Sequence, residues 1–146
     1  MSTAMVTIDS PARPARAAIR GTVMVVDDNP ANLKLMEGML RSGGYAVRSF
    51  PRGRMALASA TEKVPDLILL DIDMPDMNGY QTAKAIRMDF EEPKRSIPII
   101  SLSAAALDHE KEEAISAGMN DVLSKPFQPH ELHDKIQKML KIDLVL

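Results

Sequence analysis

The sequence predicts an α/β protein in which a five-stranded parallel sheet lies between two layers of helices. Strand-length apolar runs, rich in β-branched residues, alternate with segments that have helical spacing. The central runs are apolar throughout instead of alternating with polar residues, as in strands buried on both faces. Such strands, separated by helices, pair in parallel through right-handed crossovers and give a three-layer sandwich.

The elements follow in order after Gly21, and each predicted strand precedes a helix whose apolar residues recur every three or four positions. The predicted strands are residues 22–26, 45–50, 67–70, 97–102 and 121–124. The predicted helices contain residues 33–40, 55–60, 82–88, 107–117 and 132–140. Gly43, Gly44 and Gly118 stand where helices should end, and Pro129 suits the first turn of the last helix.

Length and composition narrow the functional classes. The 146 residues suit one domain, and the net charge of -2 gives no general attraction for nucleic acid or an anionic membrane. The absence of cysteine excludes thiol catalysis, zinc–thiolate sites and disulfides. No apolar run is long enough to span a bilayer. We expect a cytoplasmic protein with a flexible leader at 1–20, a folded domain at 21–141, and a tail or start of a linker at 142–146.

Four of the five predicted strands end in an ionisable or hydroxyl residue. Asp27 and Asp28 follow the first strand, Asp71 the third, Ser103 the fourth and Lys125 the fifth. The carboxyl ends of parallel strands share one edge of the sheet, where ligand sites form near the point at which the strand order reverses. The sequence therefore predicts that these five side chains converge.

Three carboxylates at one edge form a hard oxygen site suited to Mg²⁺, and an aspartate beside such a cation can accept a phosphoryl group. Ser103 could donate a hydrogen bond to that group and Lys125 could pair with its charge. Taken singly, the same residues have plainer explanations. Asp27 and Asp28 could cap a helix, Asp71 could belong to a turn, Ser103 could end a strand, and Lys125 could be solvated.

Four segments, in this order and spacing, resemble the response-regulator receiver domain of two-component phosphorelay signalling: VVDDNP, LLDIDMPDMNG, SLSA and SKPF. The resemblance covers about Thr22 to Leu140. It implies a flavodoxin-like (βα)5 fold with strand order 2-1-3-4-5. It also implies a signalling phosphoacceptor, which is not an enzyme beyond its own phosphoryl transfer and dephosphorylation.

The resemblance also assigns roles. Asp71 matches the phosphoacceptor, Ser103 the hydroxyl residue that turns toward the phosphoryl group, and Lys125 the lysine that contacts it. The magnesium ligands would be Asp27, chiefly through water, Asp28, Asp71 and the backbone carbonyl of Asp73. Ala104 matches the small residue that leaves room for the phosphoryl group, and the peptide bond between Lys125 and Pro126 is expected to be cis.

The implied partners are a histidine kinase or phosphotransfer protein as donor and a downstream protein or output domain. The downstream partner would bind the surface of the fourth helix, fifth strand and fifth helix. The apolar ending KIDLVL leaves a homodimer contact open. Direct binding of nucleic acid or a membrane is not expected.

Two residues depart from the family pattern. Val122 stands where many receivers have the Tyr or Phe that turns inward on activation. Asp73 places an extra carboxylate two residues after Asp71, where like charge could alter metal affinity or the access of water. We expect Asp73 to change the lifetime of the phosphoryl group.

Three other functions compete with this interpretation. A receiver-like interaction module would never be phosphorylated, and Val122 keeps that alternative open. A phosphohydrolase of the haloacid-dehalogenase type would use Asp71 as nucleophile and Asp73 as general acid/base, but its motif normally follows the first strand. A flavodoxin-type cofactor binder would need a loop that accepts phosphate, whereas DDNP would repel it.

Overall fold

The structure is a computed structural model that describes residues 20–104 and 108–140. Five strands alternate with five helices along this part of the chain. In order they are β1 (Thr22–Val26), α1 (Pro30–Ser42), β2 (Ala46–Phe50), α2 (Gly53–Glu62), β3 (Leu67–Asp71), α3 (Gly79–Asp89), β4 (Ile99–Ser103), α4 (Asp108–Ser116), β5 (Asp121–Ser124) and α5 (Pro129–Leu140). A short 3₁₀ turn, Lys94–Ser96, precedes β4.

The strands form one parallel sheet in the order β2-β1-β3-β4-β5, which confirms the predicted fold class. Strand order reverses at β1, because β2 lies on one side of it and all later strands lie on the other. Val26 at the end of β1 pairs with Leu70 near the end of β3. The residues that follow these two positions are therefore neighbours at the carboxyl edge of the sheet.

Both faces of the sheet are covered, as the apolar runs predict. Successive strand residues point to opposite faces, so Val23 and Val25 belong to one cluster while Met24 and Val26 belong to the other. The first cluster includes residues of α1 and α5, and the second includes residues of α2, α3 and α4. These two cores hold the strand ends in fixed positions relative to one another.

The predicted element bounds hold closely. The bounds of β1 and β5 agree with those expected, but β4 begins at Ile99 and not at Ile97. Pro98 has no N–H to donate to a ladder, and Ile97 closes the 3₁₀ turn instead. Residues 1–19, 105–107 and 141–146 lie outside the described residues, so the proposed leader, the first residue of the predicted fourth helix and the tail stay predictions. None of the helices in the described ranges is long and apolar enough to cross a membrane.

The loop between β3 and α3 is tied to the sheet at both ends. The N–H of Ile72 donates to the Leu102 carbonyl, and the N–H of Gly79 donates to the Ile72 carbonyl. Asn78 caps α3 by accepting from the Gln81 N–H, while the Gln81 side chain accepts from the Asn78 N–H. This reciprocal pair satisfies two backbone donors at the helix start and fixes the chain that follows Asp71.

Gly79 allows α3 to approach the end of β3. A Cβ added at Gly79 would lie 2.4 Å from the Asp71 carbonyl oxygen and 2.9 Å from the Ile72 Cα, both backbone atoms that cannot rotate away. At Gly38 in α1 an added Cβ would meet nothing within 4 Å. Substitution by alanine should therefore have opposite effects on stability at the two glycines.

We expect Gly79→Ala to lower the free energy of unfolding by about 1–3 kcal/mol through overpacking. Gly38→Ala should raise it by about 0.5–1 kcal/mol, because alanine restricts the unfolded chain and favours the helix. Urea unfolding monitored by circular dichroism measures both, with the m-value checked for constancy. Equal effects of the two substitutions would contradict the close approach at Gly79.

Candidate functional site

The carboxyl edge of the sheet brings together four of the predicted residues. Asp27 and Asp28 follow β1, Asp71 ends β3, and Lys125 follows β5 and crosses to them. The Lys125 Nζ lies 3.0 Å from Asp27 Oδ2 and 3.3 Å from Asp71 Oδ1. A single ammonium group is thus shared by two carboxylates from neighbouring strands.

The two carboxylates are almost closed off from solvent. Asp27 is 0% exposed and Asp71 is 5% exposed. Buried carboxylates of like charge repel each other strongly unless a cation or hydrogen-bond donors compensate. Lys125 supplies one compensating charge between two negative ones, so the buried part of the site keeps a net negative charge.

Asp27 is fixed by two further donors. The N–H of Asn29 donates to its Oδ1 at 2.9 Å, and the Asn32 side-chain amide donates to its Oδ2 at 3.3 Å. Helix α1 itself is capped by Asn29, whose side chain accepts from the Ala31 N–H. The capping role considered for Asp27 and Asp28 therefore belongs to Asn29, which leaves the two aspartates at the site.

Three carboxylates are close enough to share one cation. Oxygen atoms of Asp27, Asp28 and Asp71 all lie within 4.8 Å of one another, and Asp28 is exposed at the opening. Oxygen donors in this number suit a hard divalent ion that keeps some of its water. The donor set fits Mg²⁺. Asp73 is exposed beside this opening.

The environment raises the basicity of Asp71. Burial, followed by the negative charge of Asp27, raises the pKa of the Asp71 carboxyl from 3.8 to about 6. Lys125 and the backbone N–H of Asp73 oppose this rise by favouring the charged form. Asp71 is therefore a carboxylate at neutral pH, but one held in a position that disfavours its charge.

Lys125 stays protonated. Burial lowers its pKa, but the hydrogen bond to Asp27 and the charges of Asp71 and Asp27 outweigh burial and raise the pKa above 10.5. Its peptide bond to Pro126 is cis, as expected. The site thus has a permanent cation placed against its most buried acids.

Ser103 is at the same edge, with its hydroxyl directed toward α4. The Ser103 Oγ donates to Glu110 Oε1 at 3.0 Å, and Ser103 is 4% exposed. Ala104, the next residue, lines a cleft together with Lys125. Sequence reasoning identified Ser103 but not its acceptor.

The side chain of Val122, which departs from the family pattern, lies in the core. Val122 is 7% exposed and belongs to the core cluster under α2, α3 and α4. Its branched side chain is packed and carries no polar group. Tyr80 packs against the same cluster from α3, and burial, followed by the charges of Glu113, Glu110 and Asp73, raises the pKa of its phenol.

Two residues at the site were missed from the sequence, Asn32 and Glu110. Asn32 lies at the third position of α1 and Glu110 at the third position of α4. Polar residues in a first helical turn are common, because unpaired N–H groups and the helix dipole favour them. Nothing in the sequence distinguished these two from ordinary first-turn residues.

Comparison with known proteins agrees with this geometry. The model of the response regulator receiver domain family matches residues 23–137. The chain is 38% identical over 117 residues to the sensor protein GacS of Pseudomonas syringae pv. syringae, which covers 80% of this chain and 13% of GacS. It is 41% identical over 113 residues to the histidine-protein kinase BarA of Shigella flexneri, which covers 77% of this chain and 12% of BarA. The chain thus spans about an eighth of the length of these relatives.

A solved structure extends the comparison to three dimensions. The receiver domain of the sensor histidine kinase PA1611 from Pseudomonas aeruginosa PAO1 is 40% identical and superposes with a TM-score of 0.76, covering 83% of this chain and 98% of that domain. That structure has a magnesium ion coordinated in its active-site cleft. The family match, the strand order and the three carboxylates at the edge of the sheet agree with one another. The chain therefore belongs to the response regulator receiver domain family.

Proposed function

We propose that this receiver domain accepts a phosphoryl group on Asp71 with Mg²⁺ bound and thereby changes its affinity for a partner. The observation that carries the proposal is the arrangement around Asp71 Oδ1, which has Lys125 Nζ at 3.3 Å and two further carboxylates within reach of a shared cation. Phosphoryl transfer needs positive charge on several sides of the transferred group. A site with Lys125 and a bound cation would provide it.

The cation would be held by Asp27, Asp28, Asp71 and the backbone carbonyl of Asp73. When bound, Mg²⁺ would offset the negative charge of the carboxylates and of the transferred group. Asp27 would remain positioned by Asn29 and Asn32, so the acidic pocket keeps its shape with or without the ion.

The residues of the chain would divide the chemistry as follows. An Asp71 oxygen would attack phosphorus and form the P–O bond, while the bond from phosphorus to the donor's histidine nitrogen breaks and its electron pair returns to the imidazole. Lys125 would leave its ion pairs with Asp27 and Asp71 and contact the phosphoryl oxygens instead. The Ser103 hydroxyl would turn to donate to the same group, in space left free by Ala104.

The donor is proposed to be a histidine kinase or a phosphotransfer protein. A cleft of about 330 Å³ opens beside Lys125 between α1 and the loop after β5, and its lining includes the apolar residues Leu35, Met39 and Phe127. Leu35 is 59% exposed. An apolar surface bordering the reactive group would allow a donor to dock with its phosphohistidine directed at Asp71.

The output is proposed to use the surface of α4, β5 and α5. Ile115 on α4 is 57% exposed, and Lys135 of α5 pairs with Asp121 of β5 at 3.0 Å. Exposed apolar and charged residues on one surface are the composition of many transient interfaces. The proposed setting is the cytoplasm, as expected from the sequence. A partner must bind the two states with different affinity for any signal to pass.

Phosphorylation of the purified chain tests Asp71 as the acceptor. Incubation with Mg²⁺ and acetyl phosphate should give a phosphate adduct by intact mass, and Asp71→Asn should abolish it because the amide cannot attack phosphorus. Asp76→Asn is the matched control, since Asp76 lies in the same loop and its exposed ion pair with Arg54 contributes little.

The adduct should be unchanged in the Asp76 control. If no adduct forms with acetyl phosphate or with a phosphorylated donor, the chain is an interaction module that is never phosphorylated. Sustained hydrolysis of small phosphoesters would instead favour a phosphohydrolase.

The raised pKa of Asp71 predicts a pH-dependent gain in stability when its charge is removed. Folded Asp71 binds its proton more tightly than the unfolded residue, so ionising it between pH 3.8 and about 6 costs stability. Without Mg²⁺, Asp71→Asn should therefore be more stable than the wild type at pH 7 by roughly 3 kcal/mol, and the difference should shrink toward pH 4.

Urea unfolding at pH 4, 5, 6 and 7 tests this dependence. Asp89→Asn, which removes an exposed carboxylate at the end of α3, serves as the control. A difference between Asp71→Asn and the wild type that stays constant over this range would contradict the raised pKa.

Asp73 gives a further prediction. Its exposed carboxylate adds negative charge at the opening of the site, so Asp73→Asn should weaken Mg²⁺ binding by about two- to threefold, a modest effect because solvent screens the charge. The dephosphorylation rate should also change. Magnesium titration and the decay of the phosphate adduct measure the two effects, and unchanged values for both would show that the Asp73 carboxylate has no role at the site.

A further inference from the structure

The hydrogen bond between Ser103 and Glu110 connects the site to helix α4. The Ser103 Oγ donates its proton to Glu110 Oε1 at 3.0 Å, and Glu110 lies in the first turn of α4, partly buried. A serine hydroxyl has one proton to donate. Ser103 therefore cannot donate to Glu110 and to a phosphoryl oxygen on Asp71 at the same time.

In many receivers a Tyr or Phe at the position of Val122 turns inward on activation. This chain has no aromatic side chain at that position. Val122 is packed into the core beneath α2, α3 and α4, and its side chain is too small and too enclosed to exchange positions with a displaced hydroxyl. A change at Ser103 must reach the surface by another contact. Among the contacts of the described residues, the bond to Glu110 leads from Ser103 directly into a helix of the proposed output surface.

A phosphoryl group on Asp71 would bring strong acceptor oxygens into competition with Glu110 for the Ser103 proton. Glu110 would then have lost the Ser103 donor.

We propose that Glu110 is a positioning residue that holds the Ser103 hydroxyl away from Asp71 in the resting state and transmits its release into α4. The proposal rests on the proposed function, since it needs a phosphoryl group on Asp71. In the resting state Glu110 restrains Ser103. In the phosphorylated state Ser103 leaves, Glu110 loses this hydrogen bond, and the first turn of α4 shifts.

Binding of beryllofluoride with Mg²⁺, a stable substitute for the phosphoryl group, tests the restraint on the full chain. Glu110→Ala should tighten this binding on the order of tenfold, because a charge-assisted hydrogen bond no longer has to be broken. Glu110→Gln keeps an uncharged acceptor and should give a smaller gain. Glu112→Ala removes the same charge from an exposed position on the same helix and should leave the affinity unchanged.

A double-mutant cycle with Ser103→Ala separates the hydrogen bond from simple charge repulsion. In the Ser103→Ala background, Glu110→Ala should no longer tighten binding, because the restraint acts through the missing hydroxyl. Persistence of the gain in that background, or an equal gain in Glu112→Ala, would overturn the proposal.

The methyl signals of Ala114 and Ile115 report on transmission into α4. They should shift when beryllofluoride binds the wild type and shift by less than half as much in Glu110→Ala, whose α4 is already released. Equal shifts in the two proteins would also overturn the proposal. If wild-type protein binds no beryllofluoride and forms no adduct, the proposed function itself fails; if it binds and Glu110→Ala has no effect, only the role of Glu110 fails.

Discussion

The ion pair that Lys125 makes with both Asp27 and Asp71 is the interaction on which the rest of the site depends. Two buried carboxylates on neighbouring strands would repel each other without a cation between them. One ammonium compensates only part of their charge, and the pKa of Asp71 remains raised to about 6. The site is therefore incompletely neutralised, which is the condition under which a divalent ion and a reactive carboxylate are both favoured.

The fold supports this arrangement by fixing the ends of β1 and β3. The reversal of strand order at β1 makes β1 and β3 neighbours, and the two apolar clusters hold their ends at one edge. The Asn78 capping box and the close approach of Gly79 fix the chain just after Asp71. Stability from the buried strands thus offsets the cost of keeping like charges together.

Much of this architecture was predictable from the sequence, because strands and helices have distinct apolar periods. The bounds of β1 and β5 followed from their apolar runs, and parallel pairing explained why Asp27, Asp71 and Lys125 should meet. The contacts of individual polar side chains were not predictable. Glu110 and Asn32 are ordinary first-turn residues in the sequence, and only the packing of α4 and α1 against the sheet edge brings them to Ser103 and Asp27.

The central claim is that Asp71 is the acceptor and that Lys125 moves to the group it accepts. The most direct measurement is a crystal structure of the chain with Mg²⁺ and beryllofluoride. We predict beryllium bonded to an Asp71 oxygen, Mg²⁺ beside Asp27 and Asp28, and Lys125 Nζ within hydrogen-bonding distance of a fluorine. Beryllofluoride bound elsewhere, or Lys125 still shared between Asp27 and Asp71 with beryllofluoride in place, would contradict the claim.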